Sequence, residues 1–476
     1  MMLTDCNMTI EQMYTGCLAQ GAYYLASGGE AAVVDPLREI KPYLERAESD
    51  GVRIKYIFET HFHADFVSGH VDLARATGAT IVYGPTARPG FAAHIARDGE
   101  VFAIGRMRVR VLHTPGHTLE SVCYLVQDEA GNDHALLTGD TLFIGDVGRP
   151  DLAQQGGRLT QEDLAGMLFD SLRGKIMPLA DHVLVYPAHG AGSACGKNMS
   201  RETVSTLGEQ KKHNYALRAD MTREEFIAEV LHGLQPPPAY FPQNVRLNQA
   251  GGYEDIDRVL QRGLTPLPVA AFAEAAGRPG VLLLDTRKPE VFARGFVPGA
   301  VNIGLDGSFA PWVGALIPDL RQPLLLVTEP GRESETVTRL SRVGYDQAVG
   351  YLAGGFEAWQ GAGRPVGSVP CVPARAFAAL YREAPPVVVD VRKPAEFAAG
   401  HLPGAVNLPL DSLPDHLAQF PTDQPVYVHC AGGYRSMIAC SVLKARGWDN
   451  LTNIAGGFAA MTQAGLPAVQ EEAATK

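Results

Sequence analysis

The chain has 476 residues, 46% of them apolar and 20% charged, with 51 glycines and 33 prolines; that is too long for one core and reads as about three domains. A net charge of −11 leaves no basic surface for a nucleic acid backbone, and no apolar run approaches the roughly 20 residues that cross a bilayer. Residues 1–12 lack the basic and apolar regions of a signal peptide, so the chain is expected to be cytoplasmic. The seven cysteines, at positions 6, 17, 123, 195, 371, 430 and 440, form no CxxC pair, and any chemistry is expected of individual reduced thiols.

In chain order, residues 31–35, 55–58 and 79–83 read as strands bounded by turns. Residues 107–112 alternate arginine with apolar side chains, the period of a half-buried strand. Residues 37–47 and 71–77 carry helical spacing. The run Gln235-Pro236-Pro237-Pro238-Ala239-Tyr240-Phe241-Pro242 is too proline-rich for a helix or a central strand, leaving an arm against the first domain or a linker.

The second half repeats itself. Asp285-Thr286-Arg287-Lys288-Pro289 recurs as Asp390-Val391-Arg392-Lys393-Pro394, and Pro298-Gly299-Ala300-Val301-Asn302 recurs as Pro403-Gly404-Ala405-Val406-Asn407. Ala353-Gly354-Gly355-Phe356 recurs as Ala455-Gly456-Gly457-Phe458. A repeat of about 105 residues is a domain and not a solenoid unit. Each copy opens on a buried-looking strand (281–284, 387–389) and continues helix by strand, the pattern of a parallel α/β sheet.

Four polar junctions mark the first domain: Thr60-His61-Phe62-His63-Ala64-Asp65, His113-Thr114-Pro115-Gly116-His117-Thr118, Thr138-Gly139-Asp140 and Pro187-Ala188-His189-Gly190. Each places His or Asp just past a strand, where a rigid scaffold holds a loop. One such histidine reads as a hydrogen-bonded core residue; four junctions together read as a metal site.

The motifs THxHAD, PGHT and TGD, in this order, resemble the metallo-β-lactamase superfamily over about the first 230 residues. They are most similar to its persulfide dioxygenase branch and more distantly to the glyoxalase II hydrolases. The resemblance implies a four-layer αβ/βα sandwich in which His61, His117 and Asp140 bind one Fe(II). Two imidazoles and a carboxylate leave octahedral positions open for oxygen and sulfur, whereas a structural zinc site closes with four ligands. Two-metal relatives carry a histidine after the Asp of HxHxD; here that place is Phe66. His63, Asp65 and His189 are therefore expected to orient ligands and water, although Asp65 and His189 remain able to hold a weak second ion. Arg149, in Gly148-Arg149-Pro150-Asp151, is a candidate clamp for a substrate carboxylate, or else a structural arginine paired with Asp151 or Asp146. Cys195, in the Gly-rich loop after His189, is a possible accessory thiol or a buried inert one.

In the last repeat a strand leads into His429-Cys430-Ala431-Gly432-Gly433-Tyr434-Arg435-Ser436 and a helical run, 437–445. A cysteine on a Gly-rich loop that opens a helix faces backbone N–H groups, a field that favours the thiolate. The Cys-x4-Arg-Ser spacing, with the patterns upstream, resembles the rhodanese sulfurtransferases and implies Cys430 as nucleophile and sulfur carrier, with Arg435 holding an anionic donor or acceptor. In the middle copy Glu329 is read at the cysteine's place on a loop one residue shorter, so this copy resembles a pseudo-rhodanese. The domains are expected at 1–255, 256–365 and 366–476, an α/β multidomain chain of metallo-β-lactamase sandwich followed by two rhodanese-like parallel-sheet domains.

The resemblance implies oxidation of a low-molecular-weight thiol persulfide by O2 to sulfite, and formation of thiosulfate through Cys430. Fusion raises the concentration of one site's product at the other. The alternative is a glyoxalase II-like zinc thioester hydrolase with an accessory sulfurtransferase domain; a third reading is a sulfur relay or persulfide sensor without oxidation. The partners expected are small molecules and a second copy of the chain, as a dimer or tetramer, with no nucleic acid and no membrane.

Overall fold

The computed structural model describes residues 8–154 and 159–470; Cys6 lies outside them. The chain divides into two compact units, one running to Ile256 with Ser341–Gly344, the other Asp257–Leu340 with Tyr345 onward. No helix among the described residues is long and apolar enough to cross a membrane.

The first unit contains two six-stranded sheets. One orders Thr9–Thr15, Gln20–Ser27, Glu30–Val34, Arg53–Phe58, Thr80–Tyr83 and His94–Ile95; the other orders Ser205–Thr206, Leu184–Pro187, Asp133–Gly139, Val122–Gln127, Met107–His113 and Val101–Ile104. Alternate residues of these strands point to opposite faces. Tyr23, Leu25, Val34 and Phe58 of the first sheet meet Val109, Val111, Tyr124 and Leu137 of the second in one buried cluster. The outer face of the first sheet packs Tyr24, Val33 and Ile57 on Tyr43, Ala47 and Leu73 of the helices Lys41–Asp50 and His70–Thr77. The outer face of the second packs Leu125, Leu136 and Val185 on Leu168 and Phe226 of the helices Gln161–Ser171 and Arg223–Leu231. The result is the four-layer αβ/βα sandwich, and cover on both faces makes the central strands almost wholly buried.

The first helix begins four residues later than its apolar spacing suggests. Leu37 is held in a bridge to Ser68 and donates its N–H to Tyr43 Oη. Pro42 then fits the first turn, where no N–H is needed, and Gly51, in the left-handed region, closes the end. The proline-rich run is an arm on the first unit. Gln235 O accepts from Arg149, Pro242 sits in the first turn of the helix Phe241–Ala250, and Phe241 is buried. That helix presents Asn248, whose Nδ2 donates to the carbonyls of His63 and Phe66 at 2.8 and 2.7 Å and whose Oδ1 accepts from Ser68 N. The arm thus holds the histidine loop in place.

The second unit carries two five-stranded sheets, parallel throughout, with the same strand order in each repeat. The repeated sequence motifs account for one another. Asp285 takes the Arg287 fork and Asp390 the Arg392 fork, each with a closest contact of 2.6 Å. The guanidiniums lie over Phe356 and Phe458 at 4.4 and 4.1 Å from the ring centroids. The Asp-x-Arg and Gly-Gly-Phe motifs are therefore a structural pair that ties the strands Leu282–Asp285 and Val387–Asp390 to the last helix of each copy.

Candidate metal centre and cysteine loop

The strands Arg53–Phe58 and Glu30–Val34 run parallel, as do Asp133–Gly139 and Leu184–Pro187, so their polar ends emerge at common sheet edges. Gly139 fits there because it adopts φ +51 and because a Cβ would stand 2.7 Å from Thr60. His61, His117 and Asp140 are brought together, all buried, with ligand atoms within 4.8 Å of one another. Asp140 Oδ2 lies 3.4 Å from His117 Nε2 and 3.9 Å from His61 Nε2. All three atoms are buried without a hydrogen-bond partner. Three unsatisfied buried acceptors converging on one point cost several kcal/mol unless a cation fills the space, on the order of 1–3 kcal/mol each.

The opposite sides of the rings are fixed. Thr60 Oγ1 donates to Asp35 Oδ2 at 2.8 Å and so accepts from His61 Nδ1 at 2.9 Å; Arg149 O accepts from His117 Nδ1 at 2.8 Å. Both imidazoles therefore present Nε2 as a lone pair, the usual way a metal histidine is oriented. Burial, followed by the charge of His63, holds the His61 pKa well below that of a free imidazole. Burial alone would raise the Asp140 carboxyl, but the charge and hydrogen bond of His189 hold it far below the usual carboxylate range. Both groups are thus in their ligating forms.

His189 stands between two carboxylates, Nδ1 2.8 Å from Asp140 Oδ1 and Nε2 2.8 Å from Asp65 Oδ2. Burial opposes its charge, yet the two acids raise its pKa well above the ordinary value. Both nitrogens are then donors, one to each acid, although Asp65, His189 and Cys195 also lie close enough together to hold an ion. His63 has turned away as well. Its Nε2 lies 3.0 Å from Asp35 and 3.5 Å from Glu59, and against the cost of burial these acids push it up to about 9. Phe66, fully buried, covers His63 with ring centroids 4.3 Å apart.

In the second unit Cys430 follows the strand Val426–His429 and precedes the helix Tyr434–Lys444. Its Sγ accepts from Gly433 N at 3.1 Å. Gly457 braces the loop from behind: a Cβ there would lie 2.3 Å from Cys430 O, while Phe458 N donates to that same carbonyl at 2.7 Å.

Comparison with known proteins agrees with this construction. The metallo-beta-lactamase superfamily model matches residues 15–189, and the rhodanese-like domain model matches 269–362 and again 374–464. A hydroxyacylglutathione hydrolase of Rhodospirillum rubrum is 31% identical over 255 residues, spanning 52% of this chain and 87% of that protein. A probable hydroxyacylglutathione hydrolase of Schizosaccharomyces pombe is 27% identical over 219 residues, 44% of this chain and 80% of that one. A metallo-beta-lactamase structure from Staphylococcus aureus is 31% identical with a TM-score of 0.65, covering 73% of this chain and 99% of that chain. The chain belongs to the metallo-beta-lactamase superfamily. Behind that domain it carries two rhodanese-like domains in tandem.

Three expectations change, one in the metallo-beta-lactamase domain and two in the rhodanese-like copies. Arg149 is not a free clamp. It is 5% exposed, forks onto Asp151 with two contacts of 2.7 Å, and donates to Ala194 O and Gln235 O. Its guanidinium stitches loops together, and its carbonyl sets the His117 tautomer. Arg435 likewise meets a carboxylate already in place: Nη1 and Nη2 bind Glu396 at 2.6 and 2.7 Å, which anchors the cysteine loop instead of leaving a free anion site. In the middle copy the register corrects the reading at the cysteine's place. Asp285 pairs with Val327 as Asp390 pairs with His429, so Thr328 and not Glu329 stands at the position of Cys430. The two loops are equal in length, Gly331 matches Gly433, and Glu333 replaces Arg435. A hydroxyl holds no sulfane sulfur.

Cys195 is 1% exposed, with Sγ within 4.8 Å of ligand atoms of Asp65 and His189. Burial, then the charges of Asp65 and Asp140, raise its pKa well above that of a free thiol, so it stands beside the centre as a neutral thiol. Asp35 escapes a motif search, and Thr60 stands in the motif without a role; the signal available was a carboxylate at the end of the strand Glu30–Val34. A cavity of about 410 Å³ is lined by Phe62 and Thr118, the residues that follow His61 and His117, and by Ala64, Glu120, Gln249 and Arg88 among others. Among the described residues that line it, Arg88 is the one cation.

Proposed function

We propose that this chain is a persulfide dioxygenase joined to a sulfurtransferase. A low-molecular-weight thiol persulfide, RSSH, reacts with O2 and H2O to give RSH and sulfurous acid, present as sulfite. The Cys430 thiolate takes the outer sulfur of a second RSSH, breaking its S–S bond and releasing RS⁻, and sulfite then breaks the new Cys430 S–S bond, giving thiosulfate and the Cys430 thiolate. The observation that carries this reading is the convergence of unpartnered ligand atoms on His61, His117 and Asp140, each ligating imidazole fixed on its far side, with His189 engaged by Asp140 and Asp65. Iron held by two imidazoles and a carboxylate supplies open positions for oxygen and sulfur chemistry when bound.

The protein's own residues do the rest. Thr60 and the Arg149 carbonyl keep both imidazoles in the ligating tautomer. The buried walls around Phe66 and Phe62 exclude water from the reacting sulfur. The His189 imidazolium, hydrogen-bonded to Asp140 and Asp65, holds a proton at the edge of the centre. Arg88 gives the cavity lined by Phe62 and Thr118 a cation for a carboxylate on the thiol. At the other site the Gly433 N–H faces the Cys430 sulfur and stabilises the anion left when sulfur departs.

A second reading, a zinc thioester hydrolase, draws on the hydroxyacylglutathione hydrolases among the relatives and on the Asp65, His189 and Cys195 cluster. The experiment that separates them is product analysis after anaerobic loading with Fe(II), using glutathione persulfide and then a lactoylglutathione-type thioester. Sulfite from the first and no hydrolysis of the second is the expected result, and Cys430→Ser is expected to retain sulfite while losing thiosulfate. Thioester hydrolysis without sulfite contradicts the proposal.

A further inference from the structure

The two rhodanese-like copies differ most where they meet. The middle copy ends its sheet on the strand Val301–Asn302, and the last copy on Val406–Asn407. Val301 is 7% exposed and Val406 49%, because the helix Tyr434–Lys444 covers the first edge: Asn302 N donates to Ser441 Oγ at 2.9 Å. From the start of that helix Tyr434 reaches across and donates its hydroxyl to Gly304 O at 2.7 Å. Its ring lies against Gly307, where a Cβ would come within 2.4 Å of two ring atoms, and over Gly304, where a Cβ would lie at 3.4 Å. In the repeat alignment the last copy has Pro409 and Ser412 in place of Gly304 and Gly307. Tyr434 itself matches Arg332, which stays within its own copy and binds Asp306 and Glu335. The glycines occur only in the copy that receives the ring.

Tyr434 directly follows Gly433, the residue whose N–H faces Cys430 Sγ. We propose that the middle copy is a platform for the cysteine loop of the last one: its Gly304 and Gly307 seat the Tyr434 ring, making Tyr434 a positioning residue that fixes the Gly433 N–H against the sulfur. Lacking a cysteine, the middle copy contributes to sulfur transfer by ordering its neighbour. The inference rests on reading Cys430 as the sulfur carrier, but its test does not use sulfur transfer.

The readout is the rate of iodoacetamide alkylation at Cys430 in the full chain, followed by mass spectrometry of the Cys430 peptide. Tyr434→Phe keeps the ring and removes the hydroxyl bond; Gly307→Val displaces the ring. Each is expected to change the rate about fivefold, the scale of one neutral hydrogen bond. The double variant is expected to match Gly307→Val alone, since a displaced ring has no bond left to lose. Two unrelated structural lesions would instead multiply, and multiplication within about a factor of two overturns the proposal. Should Gly307→Val fail to fold, Gly307→Ala takes its place in the cycle, and an unchanged rate in Tyr434→Phe overturns the proposal by itself. A wild-type chain that makes no thiosulfate refutes the sulfur-carrier reading while leaving these rates interpretable.

Discussion

Thr60→Val probes how the fold prepares the metal centre without touching a ligand. Valine matches threonine in shape, so packing is kept. The Thr60 hydroxyl makes two buried hydrogen bonds, one to Asp35 and one from His61. Losing both leaves the His61 Nδ1–H and one Asp35 lone pair unpaired in a site that is 1% exposed at both residues. At about 1 kcal/mol for each bond, the first domain is expected to lose about 2 kcal/mol. Freed from its acceptor, His61 also samples the other tautomer, which turns an N–H toward the metal position. Removal of such orienting partners typically weakens metal binding about 10- to 100-fold. Competition of Fe(II) against a chromophoric chelator, beside denaturant unfolding of the metal-free protein, measures both. A metal affinity within about twofold of wild type, with unfolding unchanged, refutes the tautomer argument.

Other substitutions test separate parts of the account. Phe66→His restores a nitrogen where two-metal relatives have one and is expected to raise bound zinc from one to two per chain by elemental analysis; a constant stoichiometry would show that Phe66 is not what excludes the second ion. Arg88→Ala is expected to raise KM for glutathione persulfide about tenfold with kcat little changed, as for loss of one charge-assisted contact, and an unmoved KM removes Arg88 from the substrate pocket. Burial holds His70 down to about 3, so the folded state keeps it neutral while the unfolded chain protonates it near 6.5. The stability this gives is therefore present above about pH 6.5 and is lost as pH falls from there toward 3; His70→Leu is expected to flatten this slope in thermal unfolding between pH 7 and 5, and an identical slope rejects the assignment.

The metal centre was legible because each ligand lies within four residues of a strand end, at Phe58, His113 and Gly139. Phe66 was legible as a missing ligand, and its contact with His63 gives that absence a physical consequence. The Asp35–Thr60–His61 chain was not legible, because it joins residues 25 apart through two neighbouring strands whose register no motif encodes. Arg149 could be read as clamp or strut, and the choice depended on the approach of Ala194 and Gln235, which only tertiary structure supplies. The cysteine's place in the middle copy was misread by one residue because the strand's last hydrophobic residues gave no end point, whereas pairing with the Asp285 strand sets it at Thr328. Glu396 went unnoticed for a related reason: the middle copy has Val291 there, so the repeat itself drew attention away from the position.

The central claim is most directly tested by counting metal and following oxygen together. After anaerobic loading with Fe(II), the account predicts one iron per chain and one O2 consumed per sulfite formed from glutathione persulfide, with both lost in Asp140→Ala. Two tightly held ions per chain and no oxygen uptake would contradict it.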